Sequence, residues 1–317
     1  MQSKTISIVI PIYNEAPNVR PLYEALRSII KKIPHQFELI FVDDGSKDDS
    51  VVKIKSVAKK DKQVKVVALA RNFGKEIAVT AGIHVAKGDA AIIMDADLQH
   101  PPELLPKFVE EWQNGADVVV GVKSYSKKEG WFKRFSSKSF YSLLSRFSSS
   151  VITPHASDFR LISRKVIEAF KSFTERNRIT RGIIDWAGFD RRYIYFEAPP
   201  RLHGQATYSY RKLFALAINS FTAYSLLPLK LASWLGWFIL CISTLSGVFV
   251  VVQEYVFGDP LKLDISGTAI LAIMLMFLVG VVLVCLGFIA MYIARIHDEV
   301  VNRPLYIIKD QTGGDEL

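Results

Sequence analysis

The sequence predicts an α/β fold: a mostly parallel sheet with helices on both faces, then an interfacial helix region and two C-terminal apolar spans. Three observations carry this. Short β-branched runs alternate with helix-patterned stretches through residues 5–120; three of those runs end in acidic residues; and two long stretches near the C-terminus, Leu231–Val252 and Ile265–Ala294, hold no charge. Alternation of this kind implies βαβ crossovers and parallel pairing. Uncharged runs of this length exceed the roughly 20 apolar residues a bilayer core requires of a helix.

Taken in order, the expected strands are Thr5–Ile10, Glu38–Val42, Lys65–Leu69, Ala90–Met94 and Asp117–Val120, with helices at Asn18–Lys32, Asp49–Lys60, Lys75–Ala86 and Pro102–Asn114 between them. Beyond Val120 the pattern loosens. Residues 123–146 interleave seven Lys/Arg with six aromatics, and one further strand is expected at Tyr193–Glu197. Leu213–Leu227 reads as an amphipathic helix, suited either to an interface plane or to ordinary packing. The resulting division is a catalytic domain over 1–205, the interfacial region over 206–230, two spans at about 231–253 and 267–294, and a tail over 295–317.

Composition narrows the function. The chain has 317 residues, half of them hydrophobic and 22% charged, which excludes a disordered polymer. The N-terminus is no signal peptide, because Pro11, Asn14 and Glu15 interrupt the apolar stretch. Arg211, Lys212 and Lys230 precede the first span and Arg295, Arg303 and Lys309 follow the second, while the connection between them carries only Lys262. By the positive-inside rule the chain is expected to be an integral membrane protein with both ends and the catalytic domain cytoplasmic; a buried hairpin of two apolar helices is the alternative. The formal charge is +9, yet residues 231–317 are net acidic, so the preceding part is more basic still. That favours anionic lipid or phosphorylated substrates, with nucleic acid as the competitor. The acidic strand ends would repel a phosphodiester backbone, so no nucleic-acid partner is expected. The two cysteines, Cys241 and Cys285, lie in the apolar runs and the six histidines show no zinc spacing. Neither a G-x-G-x-x-G nor a G-x-x-x-x-G-K-[ST] motif is present, which removes the main support for dinucleotide oxidoreductases and P-loop enzymes.

The chemistry lies in the strand ends. The first ends Pro11-Ile12-Tyr13-Asn14-Glu15, the second Asp43-Asp44-Gly45-Ser46, the fourth Asp95-Ala96-Asp97-Leu98-Gln99. Ligands of parallel sheets bind at these carboxyl ends. Crowded carboxylates repel unless a cation or a hydrogen-bonding ligand joins them. Asp95, Asp97 and Gln99 form a hard oxygen set suited to Mg²⁺ or Mn²⁺ shared with substrate phosphates.

These three motifs resemble those of the inverting family 2 glycosyltransferases of GT-A fold, and within them the polyprenyl-phosphate branch of dolichol-phosphate mannose synthases and bacterial bactoprenol glucosyl transferases. The similarity covers about residues 4–225, with further matches at Ser157–Arg160, Glu175-Arg176, Arg181-Gly182 and Arg201-x-x-Gly204. The resemblance implies that Pro11, Tyr13, Glu15, Asp43 and Asp44 line a nucleoside pocket and that Asp95, Asp97 and Gln99 hold a metal on the donor diphosphate. It implies phosphate contacts for Lys123, Arg134 and Arg201, with Lys138 beside them on the acceptor side. Asp97 and Asp158 are the expected catalytic carboxylates, Asp158 having a salt bridge to Arg160 or another arginine as its alternative role. Thr207 stands where relatives usually place a lysine, and no Q-x-x-R-W motif is present, which points to a single transfer. The implied reaction moves a sugar, glucose from UDP-glucose before mannose from GDP-mannose, onto polyprenyl (undecaprenyl) phosphate at the bacterial inner membrane with inversion. A nucleotide-sugar-binding scaffold without activity is the non-enzymatic alternative, and self-association into a homo-oligomer is compatible with either.

Overall fold

The computed structural model describes residues 4–124, 156–176, 178–197, 199, 238, 245, 267–301 and 303–313. Contacts divide the chain into two units, Met1–Thr207 with Arg303–Leu317, and Tyr208–Asn302.

The first unit begins as the sequence predicts. Strands β1 (Thr5–Ile12), β2 (Gln36–Asp43), β3 (Val64–Leu69) and β4 (Ala90–Ile93) alternate with helices α1 (Val19–Ile30), α2 (Ser50–Ala58) and α3 (Lys75–Val85). A 3₁₀ turn at Pro102–Leu104, α4 (Leu105–Gln113) and β5 (Val118–Lys123) follow. Then come β6 (Ala156–Ser163), α5 (Arg164–Ser172), α6 (Thr180–Trp186) and β7 (Arg191–Phe196), and finally β8 (Ile308–Thr312). The eight strands lie in the order β7-β5-β6-β4-β1-β2-β3-β8. β1 pairs in parallel with β2 and β4, β2 with β3 and β5 with β7, whereas β6 and β8 run antiparallel to their neighbours. The sheet is therefore mixed, with its parallel centre as expected.

Pleating explains the two-sided burial. In β1, Ile6, Ile8, Ile10 and Ile12 face a layer that includes Val19, Leu22 and Leu26 of α1, Ile54 of α2 and Phe108 of α4. Val9 faces the opposite layer, with Ala78 and Ala81 of α3, Phe170 of α5 and Ile183 of α6. A sheet covered on both faces favours near-continuous apolar runs, and β1 reads that way apart from Thr5 and the buried Ser7, whose hydroxyl bonds Glu38. The helices thus lie on both faces.

The antiparallel β6 has a consequence for the site. It enters the sheet between β4 and β5, pairing Ile93 with Arg160 and Val120 with Arg160. Because it runs antiparallel to both, its first residues lie at the carboxyl edge of β4 and β5, on the side of the acidic ends of β1, β2 and β4.

Residues 295–317, expected as a tail, supply β8. Ile308–Thr312 covers the edge of β3, and Ala70 N–H donates to the Ile307 carbonyl at 2.8 Å. Asp310 pairs with Lys55 of α2.

In the second unit the described part is the helix α7 (Gly267–Val301), with only some of its side chains described. The interfacial region 206–230 lies outside the described residues, as does the first expected span apart from Phe238 and Leu245. The expectation of membrane spans is corrected here. An uncharged stretch becomes a span only as an unbroken apolar helix of about 20 residues, and among the described residues no helix is long and apolar enough to cross a membrane. That finding overturns the expected integral membrane location, along with the cytoplasmic and inner-membrane placement derived from it.

Candidate active site

The β1 and β2 ends are stapled to each other. Beyond Ile12 the chain turns at Asn14, which adopts a left-handed conformation with φ 54°. Asn14 N–H donates to Ser46 Oγ at 2.9 Å, and its side-chain oxygen accepts Lys47 N–H at 2.8 Å. Glu15 N–H donates to Ser50 Oγ at 3.0 Å, while its carboxylate accepts from Asn18 Nδ2 at 2.6 Å. Tyr13 is left 42% exposed at the rim. Pro11 is buried within β1, opposite Val42.

The two aspartates at the end of β2 do different work. Asp44 is a loop clamp: its two oxygens accept Phe73 N–H at 2.7 Å and Gly74 N–H at 2.9 Å. Burial raises its pKa, the two N–H groups oppose that, and the neighbouring Asp43 adds to it. Asp43 accepts Ser46 N–H on Oδ2 at 3.1 Å. Its Oδ1 is buried with no hydrogen-bond partner among the described residues. A buried carboxylate oxygen without a donor is costly, and its position at the strand end suits an incoming N–H or hydroxyl. Gly45 makes this turn possible. At φ 67° it passes so close to the next loop that a Cβ would sit 2.5 Å from the Arg71 carbonyl carbon.

The β4 end is held from below. Asp95 N–H donates to His100 Nδ1 at 2.9 Å, and His100 is buried and stacked on Phe159 at 5.0 Å between centroids. Burial foremost, then Lys75 and Lys123, lower the His100 pKa against the pull of Asp95 and Asp97. The imidazole is thus a neutral support for the loop. Asp97 accepts Gln99 N–H on Oδ1 at 3.1 Å, and Leu98 between them is at φ 60°. Asn14 and Leu98, the non-glycine residues at positive φ among those described, both sit in strand-end loops, where backbone strain commonly accompanies function.

The third strand end brings a residue that the sequence reading passes over. Lys75 opens α3 directly after Gly74. Its ammonium lies 2.6 Å from Asp95 Oδ1 and 2.7 Å from Asp158 Oδ2. Burial alone would lower its pKa, but the two carboxylates outweigh this and raise it. Burial likewise pushes the Asp158 carboxyl up, yet Lys75 first, then Arg181 and Arg160, bring it down to about 2. Asp158 therefore pairs with a lysine rather than an arginine. Arg160, fully buried beneath it, turns to Asp185 at 3.6 Å, which also meets Arg191 at 3.4 Å. A signal for Lys75 was present: Arg71-Asn72-Phe73-Gly74-Lys75 follows an expected strand and so had to reach the same sheet edge.

The structure brings Glu15, Asp43, Asp44, Asp95, Asp97, Gln99 and Asp158 to one sheet edge. A continuous run of contacts leads from Asn14 through Ser46, Asp43, Asp44, Gly74 and Lys75 to Asp95 and Asp158. Lys123 ends β5 at this same edge. Arg134, Lys138 and Arg201 lie outside the described residues. As for a metal, the described residues include no group of three or more His, Cys, Asp or Glu able to hold one. Asp95 and Asp97 fit a hard divalent ion as the protein half of a site completed by phosphate oxygens and water, the usual arrangement for Mg²⁺.

Comparison with known proteins finds relatives along nearly the whole chain. The family model described as Glycosyl transferase family 2 matches residues 7–170. An uncharacterized glycosyltransferase of Synechocystis is 39% identical over 98% of this chain and 97% of its own. One of Bacillus subtilis is 38% identical over 97% of this chain and 94% of its own. The SfII prophage-derived bactoprenol glucosyl transferase of Shigella flexneri is 37% identical over 98% of this chain and 99% of its own.

Proposed function

Since the chain belongs to glycosyl transferase family 2, we propose that it moves a glucosyl group from UDP-glucose to a polyprenyl phosphate in a single inverting transfer. The observation that carries this reading is the end-to-end likeness to bactoprenol glucosyl transferases, 37% identity over 98% of this chain. The sheet edge supports it with chemistry. Asp43 Oδ1, buried and lacking a donor, is suited to an N–H of the base or a ribose hydroxyl. Asp95 and Asp97 take the divalent ion, Mg²⁺ or Mn²⁺, with Gln99 alongside. A cation held there supplies positive charge against the negative charge that grows on the leaving diphosphate.

The acceptor relieves the protein of one task. A phosphate monoester has its second pKa near about 6 and is already ionised at neutral pH. Its oxygen forms the new bond to the anomeric carbon as the bond to the diphosphate breaks, and no proton needs to move. Asp158 accordingly stays ionised beside Lys75, a fixed anion at the mouth that orients the reactants. Lys123, with Arg134, Lys138 and Arg201, answers the phosphate charges of donor and acceptor. Positioning and charge placement then carry the catalysis.

The test is transfer of label from UDP-glucose to a short-chain polyprenyl phosphate by the purified full-length chain with Mn²⁺ or Mg²⁺. We expect product with the wild type and a loss of about 100-fold or more in Asp97→Ala, the scale for removing one electrostatic contact to a transition state. Equal turnover by the two proteins overturns the reading. GDP-mannose run in parallel decides the sugar.

A further inference from the structure

This inference rests on the reading that Asp95 and Asp97 take the divalent ion, and it concerns what occupies them beforehand. Asp44 holds Gly74 N–H at 2.9 Å, which fixes the point from which the Lys75 side chain departs. One ammonium then serves both Asp95 of the β4 end and Asp158 of the adjacent β6. Two carboxylates drawn together need such a charge between them. The oxygen that Lys75 takes on Asp95 is one a divalent ion also needs. An ammonium already 2.6 Å from that oxygen weakens it for a second cation, because their mutual repulsion rises as the separation falls.

With Lys75 seated, the chain by itself offers a divalent ion little. The described residues hold no three-member His/Cys/Asp/Glu group for a metal. A donor diphosphate changes both sides of the balance. Its oxygens complete the coordination that two carboxylates leave open, and its negative charge attracts the ammonium. The Lys75 side chain is 42% exposed, and its flexible stem lets the tip leave Asp95 without disturbing the core.

We propose that Lys75 is a positioning residue that makes metal capture conditional on the donor. Without a nucleoside diphosphate its ammonium occupies Asp95 and keeps the divalent ion out. When donor and metal arrive together it yields Asp95, turns towards the diphosphate, and keeps Asp158 in place. Metal and donor therefore bind as a coupled pair rather than in sequence.

The experiment measures Mn²⁺ uptake directly, by loss of the free-ion EPR signal on titration with the full-length protein, with no sugar transfer involved. In wild type, UDP or GDP should tighten Mn²⁺ binding by roughly tenfold or more, within the usual range of coupling between sites. Lys75→Met should bind Mn²⁺ alone about tenfold more tightly than wild type and lose most of the nucleotide effect, while Lys75→Arg should behave like wild type. In turnover, Lys75→Met should lower kcat while also lowering the Mn²⁺ concentration for half-activity, a split that a general loss of structure would not give. Lys75→Gln repeats the measurement if Lys75→Met fails to fold. Mn²⁺ binding by the neutral variants that is no tighter than wild type overturns the proposal. The underlying metal reading fails separately, if Asp95→Asn and Asp97→Asn take up Mn²⁺ with nucleotide as the wild type does.

Discussion

Asp158 shows how a single side chain acquires its state from its neighbours. Burial works against its charge, and Lys75 above all restores it, leaving a carboxyl that titrates near about 2 instead of 3.8. A folded-state pKa below the unfolded one stabilises the fold above the unfolded value and ceases to do so as protons bind. Wild-type stability should therefore fall from about pH 4 to about pH 2, and Asp158→Asn should flatten that slope in denaturation midpoints measured against pH. The same variant should lose roughly 100-fold in turnover. Gly45 offers a purely structural counterpart. A Cβ there meets the Arg71 backbone at 2.5 Å with φ at 67°, so Gly45→Ala should cost about 1–3 kcal/mol, read as a lowered thermal midpoint. Asp95 and Asp97 were legible in the sequence because their motif directly follows an apolar strand. Lys75 was passed over: its place after an expected strand marked the sheet edge, but a lysine opening a helix does not by itself show which carboxylates it will meet. Nor could the sequence separate Asp43 from Asp44, whose different roles depend on which oxygen the Phe73–Gly74 loop reaches.

Among the elements, legibility follows burial. The first five strands were readable because each is an apolar run between polar turns, the mark of a sheet covered on both faces. β6 was hidden by its content. Asp158 and Arg160 sit within Ala156–Ser163, and Arg160 is buried, a polar residue inside that no periodicity predicts. β8 was hidden for the opposite reason: Ile-Lys-Asp-Gln-Thr is short and polar, as edge strands often are. Its attachment carries a titratable link, because His84 of α3 meets the Tyr306 hydroxyl at 3.0 Å just before β8 begins. Burial first, then Arg178 and Lys171, lower the His84 pKa from 6.5 to about 4. The unfolded chain thus binds a proton that the folded one refuses, and stability should fall as pH drops from about 6.5 to about 4. His84→Gln should remove that portion of the slope in urea midpoints taken across this range.

For the molecule as a whole, composition pointed two ways and the structure supports one of them. The α/β expectation stands in the eight-stranded sheet, and the strand ends that carry the carboxylates lie at one sheet edge. The membrane expectation rested on the length of two uncharged apolar runs and the basic residues flanking them, and neither says where a helix starts, stops or packs; among the described residues no helix is long and apolar enough to cross a membrane. Chain order and spatial order also part company, for Arg303–Leu317 rejoins the unit formed by Met1–Thr207. A variant ending before residue 303 should leave the β3 edge open to pairing with other chains, visible as increased light scattering and a lowered thermal midpoint. The same return sets a timetable at the ribosome. The eight-stranded body must wait, one flank bare, while all of Tyr208–Asn302 is made, and it is sealed only once Ile308–Thr312 has followed.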